Sequence, residues 1–79
     1  MNRTTNMAII DVRTDIAGNV WKIVKAIGDA VGEDEPILIL ESMKMEIPVT
    51  APEDGVVKDL LVQEGDTVAE GMVVARIEA

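Results

Sequence analysis

The 79-residue chain has no cysteine, histidine, phenylalanine or tyrosine, and Trp21 is its one aromatic residue. Without cysteine, disulfides and thiolate metal sites cannot form. Without histidine, nucleophilic triads, histidine general bases and most zinc sites are excluded as well. The scarcity of aromatic rings removes the stacking platforms on which proteins bind single-stranded nucleic acid. We therefore expect no catalytic residue and no metal site.

Basic residues and long apolar runs are scarce too. The chain has seven lysines and arginines but 15 aspartates and glutamates, which gives a formal net charge of −8. A chain with this charge would repel nucleic acid. The longest strongly apolar stretch, ILIL, is far too short to span a membrane. The polar start MNRTTNM lacks the apolar run of a signal peptide. We expect a cytoplasmic protein without membrane contact, whose acidic surface suits docking to basic protein surfaces.

Helical periodicity is also missing, because no segment places apolar residues every 3.6 positions and the three prolines suit helices poorly. Alternation over two positions occurs instead, for example where Val73, Ala75 and Ile77 share one strand face and Val74 falls on the other. Gly-Asn and Gly-Asp pairs, typical of turns, separate such segments. The predicted strands are IIDVR, NVWKIVK, PILILE, EIPVT, VVKDLLVQ and MVVARIE. We predict one all-β domain of two small sheets packed face to face.

The sequence repeats itself at an offset of 37 residues, because residues 10–41 align with residues 47–78 without a gap. Identical or similar pairs are Ile10–Ile47, Val12–Val49, Gly18–Gly55, Val20–Val57, Gly28–Gly65, Asp29–Asp66, Val31–Val68, Glu33–Glu70, Leu40–Ile77 and Glu41–Glu78. A period of one half-domain indicates a two-fold duplication with a pseudo-two-fold axis.

The segment ESMKME, residues 41–46, lies where the two halves join. Lys44 is therefore expected at the tip of a tight hairpin, with both chain termini at the opposite end. A hairpin tip is among the most exposed positions of a small domain. A lysine on a turn is usually a solvated surface residue, but its place at the duplication junction favours a presented nucleophile. At least one of its neighbours, Met43 and Met45, is then expected to be partly exposed.

These features resemble biotinyl and lipoyl carrier domains, and specifically biotin carboxyl carrier domains. The carrier pattern Glu-x-Met-Lys-Met stands here as ESMKM, framed by GDAV and GDTV and followed by APEDGVV. The likeness runs from about residue 10 to residue 78, and AGNVWK and ESMKMEIPV carry a closer likeness to small free-standing biotin/lipoyl attachment proteins. The resemblance implies a flattened eight-stranded barrel of two quasi-symmetric four-stranded antiparallel sheets.

The resemblance also implies a function. Lys44 would receive biotin in an amide bond made by a biotin protein ligase. The chain would be a non-catalytic subunit of a biotin-dependent carboxylase, carrying carboxybiotin between the biotin carboxylase and carboxyltransferase sites. Met43 and Met45 would contact the cofactor, since thioethers adapt to apolar surfaces. The residues expected to serve recognition by the ligase or another partner are Glu41, Ser42 and Glu46.

Two other functions compete with this interpretation. The first is a lipoyl carrier of a 2-oxoacid dehydrogenase or the glycine cleavage system, although lipoyl domains commonly place Asp before and Ala after the lysine. The second is an unmodified adaptor module. In each case we expect residues 1–7 to form a flexible tail and residues 8–79 to form the carrier domain, which is a monomer in isolation.

Three further expectations concern particular positions. The constant offset between the halves leaves no room for the thumb-like insertion of some fatty-acid-synthesis carriers. Asp34 replaces the equivalent Gly71, so its turn is expected to be shaped differently. Trp21 is expected in the core or half-buried at its edge.

Overall fold

Eight strands make up the fold in the computed structural model, which describes residues 8–79. In chain order they are β1 (Ile9–Arg13), β2 (Gly18–Ile23), β3 (Ala30–Val31), β4 (Pro36–Ser42), β5 (Met45–Thr50), β6 (Gly55–Leu60), β7 (Thr67–Val68) and β8 (Val73–Glu78). Each of the six predicted segments overlaps one strand, with ends that differ by a few residues, while β3 and β7 are too short for alternation to reveal them. The expected tail falls on residues 1–7, which lie outside the described residues.

The strands form two four-stranded antiparallel sheets. The first sheet has the order β1-β8-β6-β3, and the second has the order β5-β4-β2-β7. Each sheet combines strands from both halves of the repeat, so the halves are interlocked rather than laid side by side. This arrangement confirms the predicted two-sheet fold without a thumb insertion. Within residues 8–79, no helix is long and apolar enough to cross a membrane.

Equivalent hydrogen bonds repeat the sequence symmetry in the backbone. The N–H of Gly28 donates to the carbonyl of Val57 at 2.8 Å. At the equivalent position, the N–H of Gly65 donates to the carbonyl of Val20 at 2.8 Å. Each half thus ties its Gly-Asp turn to a strand of the other half, so neither half is complete alone.

The core lies between the two sheets and draws on both halves. Three pairs that the repeat relates by symmetry are at most 4% exposed: Val20 with Val57, Val31 with Val68, and Leu40 with Ile77. Burial of one such side chain contributes roughly 1.5–3 kcal/mol, which is a large share of what a domain this small can hold.

A β-bulge in β8 overturns one detail of the predicted alternation. Val12 pairs with Ala75 and Arg13 pairs with Val73, so Val74 has no partner on β1. The bulge turns Val74 inward, where it is 0% exposed, whereas alternation placed it on the other face from Ala75. Bulges change the direction of side chains in this way without interrupting the sheet.

The position of Trp21 corrects a second expectation. Val20 pairs with Leu40 and Lys22 pairs with Ile39, which leaves Trp21 as the extra residue of a bulge in β2. Its side chain is 47% exposed and therefore lies on the surface rather than in the core. The reason is that a bulge sets two successive residues, here Trp21 and Lys22, against a single partner on the same face.

The turn at Asp34 has the same shape as the turn at Gly71, contrary to expectation. Their φ angles are 68° and 82°, both left-handed. Their N–H groups donate to the equivalent carbonyls of Ala51 and Thr14, each at 2.8 Å. Asp34 therefore adopts a conformation that favours glycine, and aspartate is one of the few other residues that tolerates it.

We expect Val31→Ala and Val68→Ala to destabilise the domain by similar amounts, about 1–2 kcal/mol each. The two side chains are 4% and 2% exposed at equivalent positions, so each truncation leaves a similar cavity. Urea denaturation of the unmodified protein measures both losses, with Lys44→Ala as the exposed control. A control as destabilising as the valine variants would contradict this picture of the core.

Candidate functional site

The junction of the two halves forms a hairpin with a two-residue loop. Ser42 pairs with Met45 across β4 and β5, which leaves Met43 and Lys44 at the tip. Their φ angles are 52° and 65°. Positive φ at both central residues defines a type I′ turn, the turn that matches the twist of paired strands.

The turn places Met43 and Lys44, which are neither glycine nor asparagine, in the left-handed region of backbone conformation. This conformation costs roughly 1–2 kcal/mol for each L-residue. The paired strands supply the compensation, because β4 and β5 remain hydrogen-bonded from Pro36–Thr50 to Ser42–Met45. The long hairpin, rather than the local preference of the Met-Lys pair, therefore fixes the direction in which Lys44 leaves the domain.

Lys44 and the methionines on either side of it all lie in solvent. Met43 is 91% exposed and Met45 is 61% exposed, and Lys44 is exposed between them. The expectation that at least one methionine would be exposed is confirmed for both. An amine flanked by two flexible thioethers is thus accessible to an enzyme that approaches the tip.

The two ends of the described part of the chain, Ala8 and Ala79, lie opposite the tip. The N–H groups of Ala8 and Ala79 each donate to the other's carbonyl at 3.0 Å. At the offset of 37 residues, Ala8 is equivalent to Met45 and Ala79 is equivalent to Ser42. Ala8 and Ala79 therefore occupy, at one end of the domain, the place that the base of the hairpin occupies at the other.

The three residues expected to serve recognition divide between two faces. Glu41 pairs directly with Glu46, both exposed, while half-buried Ser42 pairs with Met45 on the opposite side of the hairpin. Among the described residues, no salt bridge joins either carboxylate to a cation. Like charges directly opposite each other are mildly destabilising, so folding alone does not favour this pair.

Gly18 is a site residue that the sequence analysis did not single out. A Cβ at this position would lie 2.7 Å from the carbonyl oxygen of Glu41 and 3.4 Å from the Cβ of Ser42. The missing side chain therefore allows β2 to approach the base of the hairpin. The signal was present in the repeat, where Gly18 aligns with Gly55.

The hairpin tip is a presenting site rather than an enclosing one. A cavity of about 110 Å³ lies between residues 13–16 and residues 47–50, and its lining contains none of the tip residues. Lys44 is thus held outward in solvent rather than enclosed by the domain. This fold and this site together define a class of protein, the small attachment domains.

The family comparison agrees with this class. The family described as biotin-requiring enzyme, the biotin/lipoyl family, matches residues 6–77. The chain belongs to the biotin/lipoyl attachment family.

Two curated relatives match at nearly full length. The chain is 44% identical to the biotin/lipoyl attachment protein of Bacillus subtilis over 66 residues, covering 84% of this chain and 90% of that one. It is 42% identical to the biotinylated protein TB7.3 homolog of Mycobacterium leprae over 67 residues, covering 85% of this chain and 94% of that one. Each relative is thus about as small as this chain.

Two solved structures share the fold. The urea carboxylase of Kluyveromyces lactis matches with a TM-score of 0.85 and 33% identity, over 96% of this chain and 7% of that one. The lipoyl domain of the 2-oxoglutarate dehydrogenase complex from Azotobacter vinelandii matches with a TM-score of 0.64 and 36% identity, over 77% of each chain. Family membership thus establishes a biotin/lipoyl attachment domain.

Proposed function

We propose that the chain is a non-catalytic biotin carboxyl carrier and that Lys44 is its biotinylated residue. The observation that carries the proposal is the exposed Lys44 at the tip of a type I′ turn between two exposed methionines. The residues fit covalent attachment, because the tip is open to solvent and stands on two paired strands. The chain supplies the amine, and a biotin protein ligase supplies the activated acyl group and removes the proton.

Biotin, when attached, carries a carboxyl group between two active sites. The task of Lys44 is to provide part of a long tether, while β4 and β5 provide a firm base. The lysine stem and the biotin acid chain together reach roughly 12–14 Å, from about ten single bonds with zigzag shortening. Such tethering raises the local concentration at each site to roughly the millimolar range.

Biotin is favoured over lipoate by the residues on either side of Lys44. Both neighbours are methionine, whereas lipoyl domains commonly place Asp before and Ala after the lysine. A lipoyl carrier is the second candidate, supported by the 36% identity to a lipoyl domain. The likeness to urea carboxylase supports partners of the carboxylase type, namely a biotin carboxylase and a carboxyltransferase. Their contacts, like those of the ligase, would include Glu41, Ser42 and Glu46.

The intact mass of the protein, purified from cells that contain both biotin and lipoate ligases, tests the proposal. We expect one biotinyl increment, located on Lys44 by fragmentation. A lipoyl increment would establish the second candidate instead. An unmodified mass under conditions in which a known carrier is fully modified would indicate an adaptor without a cofactor.

We expect Met43→Leu and Met45→Leu to accept biotin at near-normal rates but to lower the carboxylation rate in the complete complex severalfold. The backbone of the hairpin presents Lys44 to the ligase, while a flexible thioether adapts better than leucine to an enzyme wall. Single-turnover biotinylation and steady-state carboxylation measure the two effects. Met72→Leu, outside the hairpin and 39% exposed, is the matched control. Loss of biotinylation would make the thioethers ligase determinants and refute this division.

A further inference from the structure

The outer faces of the two sheets occupy equivalent positions in the repeat but differ in chemistry. On the second sheet, Ile39 pairs with Pro48 on one side and opposes the bulge of Trp21 and Lys22 on the other. On the first sheet, Arg76 pairs with Asp11 and opposes the bulge that contains Lys58. At an offset of 37, the equivalent pairs are Trp21 with Lys58, Ile39 with Arg76, and Pro48 with Asp11.

On the outer face of the first sheet, charged side chains pair with one another. Arg76 Nε donates to Asp11 Oδ1 at 3.0 Å, and Arg13 lies 3.7 Å from the same carboxylate. These ion pairs show that the duplicated fold can cover this position with charged residues. The apolar residues at the equivalent place on the second sheet are therefore not a requirement of the fold.

The second sheet leaves its outer face apolar and accessible. Trp21 is 47% exposed, Pro48 is exposed and Ile39 is half-buried, and they form one row across three strands. The Glu41–Glu46 pair lies two residues closer to the tip, about 7 Å away. This face thus has an apolar centre and, on the side towards Lys44, an acidic border.

We propose that this face, formed by Trp21, Ile39 and Pro48 and bordered by Glu41 and Glu46, is the docking surface for the biotin protein ligase. The inference rests on the proposed function. The ligase surface that fits it is apolar at its centre and carries arginine or lysine opposite the two glutamates. Such charge complementarity speeds encounter and sets the orientation of the bound partner.

The ligase, rather than the carboxylase, is the occupant because of where its chemistry takes place. The ligase forms a bond at Lys44 Nζ, which is only about 6 Å from the backbone of the tip. The carboxylase sites meet the far end of the arm, roughly 12–14 Å away. A typical partner footprint of about 800 Å² has a radius of about 16 Å. Ile39 lies five residues before Lys44, about 15–17 Å away along the strand. A footprint centred on Ile39 therefore extends to the tip.

Docking on this face also explains how one lysine is selected among several exposed ones. Lys22 lies beside Trp21, with its Nζ 5.8 Å from the ring centroid. A ligase bound over the ring covers Lys22 and keeps it away from the active site. Lys58 lies on the outer face of the other sheet, beyond the footprint.

Ligase kinetics with matched truncations test the inference. We expect Trp21→Ala to raise the KM for the carrier roughly tenfold, because central aromatic contacts dominate interfaces. We expect kcat to remain within about twofold, since only binding is lost. Trp21→Phe should recover most of the affinity. Lys58→Ala, the same truncation at the equivalent bulge, should leave the KM unchanged.

The outcomes separate this inference from the proposed function. A normal KM for both Trp21→Ala and Pro48→Asp, with the wild-type chain biotinylated, would overturn the docking surface and leave the carrier function intact. Failure of the ligase to modify the wild-type chain would overturn the carrier function, and the docking surface with it. Urea denaturation confirms that each variant is folded, and Pro48→Asp provides an independent variant because aspartate stands at the equivalent position.

Discussion

Lys44→Arg is expected to abolish biotinylation completely while changing the free energy of unfolding by no more than about 0.5 kcal/mol. The side chain is exposed at the hairpin tip and lies outside the buried core. Arginine keeps the positive charge and the length of the stem, but its guanidinium is not acylated as an amine is. Streptavidin blotting and intact mass measure the first effect, and urea denaturation measures the second.

Lys58→Arg is the matched control, because Lys58 is exposed but lies on the outer face of the first sheet, away from the hairpin and from Trp21. It should be labelled as strongly as the wild-type chain. Persistent labelling of Lys44→Arg would assign the modification to a different lysine.

The position of the hairpin was predictable from the repeat, whereas its conformation was not. The offset of 37 places Lys44 at the junction and the chain ends opposite. The structure confirms the first, and at the opposite end it pairs Ala8 with Ala79. Sequence rules associate a type I′ turn with Asn-Gly or similar pairs. Met43 and Lys44 carry no such signal, because the pairing of the flanking strands imposes the turn on them.

Bulges are the second feature that the sequence pattern does not predict. Alternation predicts side-chain direction only while each residue has one partner, and Val74 and Trp21 are both extra residues opposite a single position. The bulge turns Val74 into the core and sets Trp21 on the surface. Both outcomes depend on the register between strands distant in sequence, which no local pattern encodes.

The candidate site was predicted in part for the same reason. The motif identified Lys44 and its neighbours, and their chemical roles stay predictions. That Glu41 directly opposes Glu46 follows only from the register of β4 and β5. The apolar outer face is likewise invisible in sequence, because Trp21, Ile39 and Pro48 come from three different strands.

Gly18→Ala is expected to combine a large loss of stability with a loss of function. The added Cβ would lie 2.7 Å from the carbonyl oxygen of Glu41, a backbone atom that moves only if β4 moves. Such overpacking costs about 2–3 kcal/mol. Because Glu41 lies three residues before Lys44, the shift also displaces the tip, and we expect the biotinylation rate to fall about tenfold or more.

Gly55→Ala is the matched control that the duplicated fold provides. Its Cβ would meet the carbonyl oxygen of Glu78 at the same 2.7 Å, but at the end of the domain where Ala8 pairs with Ala79. We expect a similar loss of stability by urea denaturation and a biotinylation rate close to that of the wild-type chain. The rates are compared at a temperature where both variants are folded. Equal rates for the two variants would mean that the hairpin absorbs the displacement of β4, and that Lys44 is presented by the turn alone rather than by the packing of β2 beneath it.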